Sequence, residues 1–365
     1  MNDWGRSVLD QYDLEFDSIR RGKGVLCLTS GKTEYCLMPF KGSEKRLFEE
    51  AQLLDYLYGR GHLADCMIKT REGGYVARNE YQDPFTLRLW HPGDECVSSD
   101  ADKLIRAVKK LARLHIDMKN VPEFEPPEEQ TDCQGELSDS FEESSWKNDG
   151  DSSAQIRKKS PEESRHIESC EQTLTRHTRE LKKIRTFVQA RKSKNTFETQ
   201  ILESFPYHSE QAKRALAILR ECGYERQLEA AVAERAFIHG TYNYHFVYLQ
   251  KDTESVVNFS KYAIQVQILD LYEFIRKTME KNNWDLELGK RLIDSYCSIR
   301  EVKPEELMVL YACLLYPDKY WKQLNTYFTS NKVWIPLRNQ EKLSLALCQS
   351  ELRENFVKNL SISFK

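Results

Sequence analysis

The spacing of apolar residues changes period partway along the chain, and no other feature constrains the fold as strongly. Up to about residue 90 the apolar residues fall in short runs bounded by turn residues. Val25–Leu28 and Tyr35–Met38 flank Thr29–Lys32, the pattern of a β-hairpin. Cys66–Lys69, Gly74–Ala77 and Phe85–Trp90 read as three further strands. Between these strands Leu47, Phe48, Ala51, Leu54, Leu57 and Tyr58 recur at helical spacing, with Ser43 placed to cap them. The simplest assembly is a small antiparallel sheet crossed by one helix. From Asp100 onward the period lengthens. Leu104, Ile105, Val108, Leu111, Ala112 and Leu114 give Asp102–His115 an apolar face, and periodic segments return at Ala212–Glu221, Leu269–Lys281, Leu286–Ser298, Pro304–Leu315 and Asn339–Asn359. Strands first and helices after predict an α+β chain, with a small β-rich lobe followed by a larger, mainly helical one.

With 365 residues there is enough chain for two lobes with sizeable cores. A formal net charge of −3 argues against a general attraction to nucleic acid. No stretch approaches the roughly 18 uninterrupted apolar residues of a membrane helix, and the first residues lack a basic segment followed by an apolar one. We therefore expect neither a nucleic-acid partner nor membrane insertion, and synthesis in the cytoplasm. The 10 cysteines are scattered, with no C-x-x-C pair, so they present no zinc or redox motif and read as reduced thiols, several of them in cores. A surface thiol such as Cys133 leaves crosslinking between chains open.

Residues 122–153 interrupt the helical part with Pro122, Pro126, Pro127, eleven acidic side chains and a single Lys. Such a stretch cannot bury enough apolar surface to offset its conformational entropy, which predicts a disordered acidic insertion over 122–165. A basic stretch follows, in which Ile167, Cys170, Leu174, His177, Leu181, Ile184 and Val188 repeat at steps of three and four. It reads as an amphipathic helix docked on the second lobe with a solvated basic face. A partner-binding helix, or one shielded by the acidic tract, is the sharper alternative.

The stretch richest in chemistry is Phe237–Val247, reading F-I-H-G-T-Y-N-Y-H-F-V. It resembles the catalytic loop H-G-D-x-x-x-x-N of the aminoglycoside-phosphotransferase-like branch of the protein-kinase fold, in which the Asp orients the acceptor hydroxyl and the Asn binds Mg²⁺. His239 and Gly240 match; Thr241 stands in place of the Asp and Phe246 in place of the Asn. Further runs are similar to the CotS-type spore coat family: Trp90–Cys96, His177–Arg185, Asp270–Asp285, Tyr316–Trp321, Tyr327–Trp334 and Glu341–Leu343. The resemblance extends over nearly the whole chain outside 122–165.

The resemblance implies a bilobal kinase-like fold and, position by position, a degenerate site. The second metal-binding Asp is expected in Val256–Lys261, where Ser260 is assigned to it, and the phosphate-contacting Lys of the sheet falls at Met38. Lys41 or Lys32 is a neighbouring substitute, and Glu50 is the ion-pair partner left without its Lys. Gly22 and Gly24 are weak candidates for a phosphate-covering turn, with a purely structural turn as the alternative. Asp270 is expected to brace the catalytic loop from beneath, and His239 with His245 lacks a third ligand for a metal site.

Losing the acceptor Asp, both metal ligands and the Lys removes positioning and charge neutralisation together. The implied function is a noncatalytic, pseudokinase component of the endospore coat. It would be made in the mother-cell cytoplasm, contact other coat proteins, and need no metal or cofactor. The alternative is an ATP- and Mg²⁺-dependent phosphotransferase of a small molecule or protein, with a displaced carboxylate at Asp252 or Glu254. A pseudoenzyme that senses nucleotide is a third class. The expected organisation is a β-rich lobe at 1–91, a hinge and first helix at 92–121, the insertion at 122–165, and a helical lobe at 166–365.

Overall fold

The computed structural model describes residues 6–22, 24–124, 168–329 and 336–363. Its first part is a twisted antiparallel sheet of β1 (Ser18–Arg21), β2 (Leu26–Ser30), β3 (Thr33–Pro39), β5 (Met67–Ile68), β6 (Ala77–Arg78) and β7 (Pro84–Trp90). The order is β1-β2-β3-β7-β5, with β6 also on β7. The expected hairpin is β2–β3, turning at Gly31, where φ is +58°. Helix α1 (Glu44–Gly59) starts one residue after Ser43, whose side chain makes no capping bond.

Alternation along the strands sets up two different faces. Leu26, Leu28, Leu37 and Leu87 pack against Val8, Leu9 and Tyr12 of the N-terminal segment, which covers the outer face of the sheet. The opposite face carries Cys36 and Arg88, paired across β3 and β7, and Met38 opposite Thr86. That face looks toward α1.

The rest is mainly helical: α2 (Ala101–Asp117), α3 (Cys170–Ala190), α4 (Thr196–Glu221), α5 (Tyr224–Ala233), α6 (Ile268–Lys281), α7 (Leu286–Cys297), α8 (Pro304–Leu315), α9 (Asp318–Thr329) and α10 (Pro336–Ser363). Asp100 caps α2 by accepting from the Asp102 and Lys103 amides. Helix α3 is the basic amphipathic segment, and it docks as the simpler reading expected. Leu174, His177, Leu181, Ile184 and Val188 are buried, packed chiefly against α4 and α9. Of the acidic insertion expected over 122–165, residues 125–165 lie outside the described residues, as does Cys133, whereas its first residues are packed: the Pro122 carbonyl accepts from Arg235 (2.8 Å) and the Phe124 ring lies 5.6 Å from that of Phe237.

Short strands join the two parts. β4 (Leu63–Ala64), β11 (Glu254–Val256), β10 (Val247–Leu249) and β8 (Asp94–Glu95) form a four-stranded sheet, in which β4 runs parallel to β11. β9 (Phe237–Ile238) pairs with β12 (Ala263–Ile264). At Gly93 an added Cβ would lie 3.0–3.2 Å from the backbone of Leu249, so the crossover after β7 passes too close to β10 for a side chain. The α1 residues Leu47, Ala51, Leu53, Leu54 and Leu57 share one core with α2, α6, α7 and α8. The small sheet is thus anchored to the helical part through α1.

Candidate functional site

The loop after β9 is held from below by one carboxylate. Asp270, in the first turn of α6, accepts from the backbone amides of His239 (2.6 Å) and Gly240 (2.9 Å). His115 of α2 donates to the same carboxylate through Nε2 (3.1 Å), and its Nδ1 accepts from the Tyr296 hydroxyl (2.6 Å). This is the bracing role expected of Asp270. His239 is fully buried. Its Nε2–H donates to the carbonyl of Val257 (3.0 Å) and its Nδ1 faces the Thr241 amide (3.3 Å), which makes it a neutral ring in a fixed tautomer. Burial holds both His115 and His239 below the usual imidazole range, against the attraction of Asp270. Gly240 has φ +83°, and a Cβ there would meet the Lys261 carbonyl oxygen at 2.0 Å. No other residue fits that turn.

The second feature is a buried cation that the sequence reading missed. Arg88 Nη1 donates to Glu50 of α1 (2.9 Å) and to Asp65 (3.1 Å), with all three side chains buried. The same Asp65 oxygen accepts the amide of Asn258 (3.2 Å), in the segment following β11. Asn258 has φ +70°, a conformation its short polar side chain tolerates. The guanidinium therefore links the sheet, α1 and the segment beneath the catalytic-type loop. Burial works against the Arg88 charge, but Asp65 and Glu50 more than offset it and raise the group further. Burial raises Glu50 and Arg88 pulls it back. The network is not saturated: Asp65 Oδ1 and Arg88 Nε have no hydrogen-bond partner.

A third set of contacts lies alongside. Arg46 of α1 donates to the Tyr262 carbonyl (2.7 Å) and stacks on its ring, while the Tyr262 hydroxyl donates to Glu49 (3.1 Å). Together with Arg88, these bonds fasten α1 to the segment 257–262.

The residues singled out in the sequence are distributed as follows. Thr241 lies in the loop as expected, its Oγ1 buried without a partner. The half-buried ring of Phe246 stacks on His239 with centroids 6.2 Å apart, and Phe259 flanks the same imidazole at 4.5 Å. Ser260 is exposed, bonded to the Asn258 side chain (2.9 Å), so the backbone that meets His239 and Asp65 belongs to Val257 and Asn258 instead. Met38 is half-buried on the face of Cys36 and Arg88, whereas Lys41 and Lys32 are exposed. Glu50 is not left without a cation: Arg88, from the neighbouring strand, supplies it. Gly22 and Gly24 form the β1–β2 turn, with the Gly22 amide bonded to the Val25 carbonyl (2.9 Å) and Gly24 at φ +77°. His245 is exposed and bonded to Glu95 (2.6 Å), apart from the partners of His239. Glu254 is held by Arg106 (3.0 Å) and Arg113 (3.7 Å), and Asp252 is exposed in the β10–β11 turn.

ATP and Mg²⁺ are the groups such a loop serves in kinases. The side chains here do not fit the metal. Thr241 and Phe246 offer no carboxylate or amide, and the two buried carboxylates, Glu50 and Asp65, are both bonded to Arg88. Among the described residues no group of three His, Cys, Asp or Glu is placed to hold a metal ion.

Comparison with known proteins places this geometry. The sequence model of the family described as Spore coat putative kinase YutH matches residues 150–360, and the chain belongs to that family. No curated protein matches by sequence. The structure is similar to that of an aminoglycoside phosphotransferase from Alicyclobacillus acidocaldarius subsp. acidocaldarius DSM 446. The TM-score is 0.76 at 16% identity over 98% of this chain and 95% of that one. It is also similar to a microcompartment-associated aminopropanol kinase (TM-score 0.55, 14% identity, 96% of each chain) and to AMP-bound spectinomycin phosphotransferase APH(9)-Ia (TM-score 0.54, 10% identity, 94% of each chain). At these identities the likeness shows the fold, which is bilobal and kinase-like.

Two outcomes follow from the buried groups. Replacing Arg88 leaves two buried carboxylates without a cation, so Arg88→Met lowers the unfolding free energy by about 3–5 kcal/mol. The loss shrinks as pH falls through the carboxylate range and Glu50 takes up a proton; urea titrations at two pH values check both statements. The histidines act in the opposite direction. Because the folded state holds His115 and His239 neutral, the unfolded chain binds protons first as pH drops below about 6.5. Stability is fully present above that value and declines below it, which urea midpoints at pH 7.5 and pH 5.5 measure directly.

Proposed function

We propose that this spore coat family member is a noncatalytic kinase-like component of the endospore coat, acting through protein–protein contacts. It is made in the mother-cell cytoplasm and carried into the coat. The observation that supports this reading most strongly is the placement of Arg88, whose buried guanidinium is taken up by Glu50 and Asp65. Phosphoryl transfer relies on a carboxylate to orient the acceptor, on metal ligands and on a cation facing the phosphates. Thr241 and Phe246 supply none of these, and Arg88 is buried and spent on two carboxylates. The half-buried ring of Phe246, stacked on the buried His239, puts an apolar group where a metal-binding amide is expected. Glu254, the candidate for a displaced carboxylate, is engaged by Arg106 and Arg113.

Incubating the purified full chain with γ-labelled ATP and Mg²⁺ tests the reading. We expect no phosphate release and no self-labelling above the buffer control, in the parent and in Thr241→Asp alike. In sporulating cells, the doubly substituted Asp252→Asn, Glu254→Gln chain should reach the coat fraction in the same amount as the parent. Turnover that this double substitution abolishes would instead establish the phosphotransferase with a displaced carboxylate.

A further inference from the structure

Two thiols far apart in sequence meet in the helical part. Cys170 opens α3 and Cys313 lies in α8, 143 residues away, yet their sulfurs are 3.6 Å apart. Both ends are held in place. The Cys170 amide donates to the Tyr224 hydroxyl (3.1 Å), which in turn donates to Gln265 (3.0 Å), and Ser169 caps the helix at this point. Cys313 is 2% exposed, among Leu310, Ala312 and Leu314 in the main core.

We propose that Cys170 and Cys313 are a disulfide-forming site, which a hydroperoxide converts into a covalent tie between α3 and α8 within one chain. The two sulfurs have different roles. Cys170 is half-buried, and its chain neighbours Ser169 and Glu171 line a groove of about 1100 Å³ together with Tyr224 and Leu228, which brings a small oxidant to the start of α3. Cys313 is closed off by the core. The contact with Cys170 and then burial push the Cys313 thiol well up, so it reaches Cys170 as a protonated thiol, with either sulfur able to donate across the 3.6 Å contact.

The chemistry balances in two steps. The Cys170 sulfur attacks the terminal peroxide oxygen, breaking the O–O bond, releasing an alcohol or water and leaving a sulfenic acid. The Cys313 sulfur then attacks the Cys170 sulfur, forming the S–S bond; the hydroxide that leaves takes the Cys313 proton and departs as water. The two thiols are oxidised by two electrons in total, and the peroxide is reduced by the same two. The nearby Cys222 thiol is placed less well, because it donates to the Leu219 carbonyl (3.3 Å); in the separate N-terminal sheet Cys27 faces Cys36 across the β2–β3 ladder, where burial pushes Cys36 up to about 12. A tie between residues so distant in sequence restricts the unfolded chain strongly, so oxidation raises the melting temperature.

The test uses the full chain, reduced, desalted and exposed to stoichiometric hydrogen peroxide, then alkylated and digested without reductant. We expect a monomer lighter by two hydrogens, a linked peptide containing Cys170 and Cys313, and a rise in melting temperature of several degrees that dithiothreitol reverses. Because Cys313 is a core residue, the decisive variant is Cys170→Ser, which should fold, lose the linked peptide and show no rise. A Cys170–Cys222 link, a sulfinic acid at Cys170 with Cys313 still alkylatable after unfolding, or crosslinks only between chains would each overturn the proposal.

Discussion

The ion pairs of Arg88 with Glu50 and Asp65 are the interaction on which the arrangement of the two lobes depends. Burying two carboxylates and a guanidinium is costly unless geometry and hydrogen bonds compensate. Here one nitrogen of the guanidinium serves both acids, and Asp65 also accepts a backbone amide from the helical side. The sheet, α1 and the segment 257–262 must therefore come together for any of these groups to be satisfied. Arg46 and Tyr262 reinforce the same junction, and the continuous core beneath α1 makes it dry. A buried network of this kind is weak evidence for added stability and better evidence for specificity, because misplacing any partner strands a charge.

The Asp270 brace explains how a catalytic-type loop keeps its shape with Thr241 and Phe246 at the positions they hold. Its bonds go to backbone amides of His239 and Gly240, and to an imidazole on α2. None depends on what occupies positions 241 or 246. The positive φ at Gly240 and the carbonyl of Lys261 beneath it fix the turn independently of side-chain chemistry. The loop's shape therefore tolerates an aromatic side chain at 246, and Phe246 stacks on His239 without disturbing the brace.

Much of this was legible in the sequence because it is carried by period or by a motif. The hairpin, α1, α2, α6, α7 and α8 follow from apolar spacing to within a residue or two at most ends, and the role of Asp270 follows from the resemblance to the phosphotransferase loop. The parts that escaped have physical reasons. Strands of two or three residues such as β4, β8 and β9 are shorter than any window in which alternation can show. Pro206 falls inside α4 and hides the first half of a 26-residue helix. Arg88 received no reading of its own within the Phe85–Trp90 strand, although a charge flanked by Leu87 and Leu89 in a sheet with one face under α1 and the other under the N-terminal segment calls for an acidic partner. Asp65 sits in a two-residue break between strands and carries no pattern of its own. The contact made by Asn258, two positions before Ser260, depends on a backbone turn that spacing alone does not report.

The central claim is that the kinase fold persists here while its cleft has been given over to internal contacts. Nucleotide binding tests that claim most directly. Thermal unfolding of the full chain should be indifferent to millimolar ATP, with or without Mg²⁺, because Thr241 and Phe246 offer no metal ligand and the buried cation Arg88 is already bonded to Glu50 and Asp65. A melting temperature that rises with ATP only when Mg²⁺ is present would contradict the account, since it requires a metal–triphosphate site that Arg88, Thr241 and Phe246 leave no groups to form.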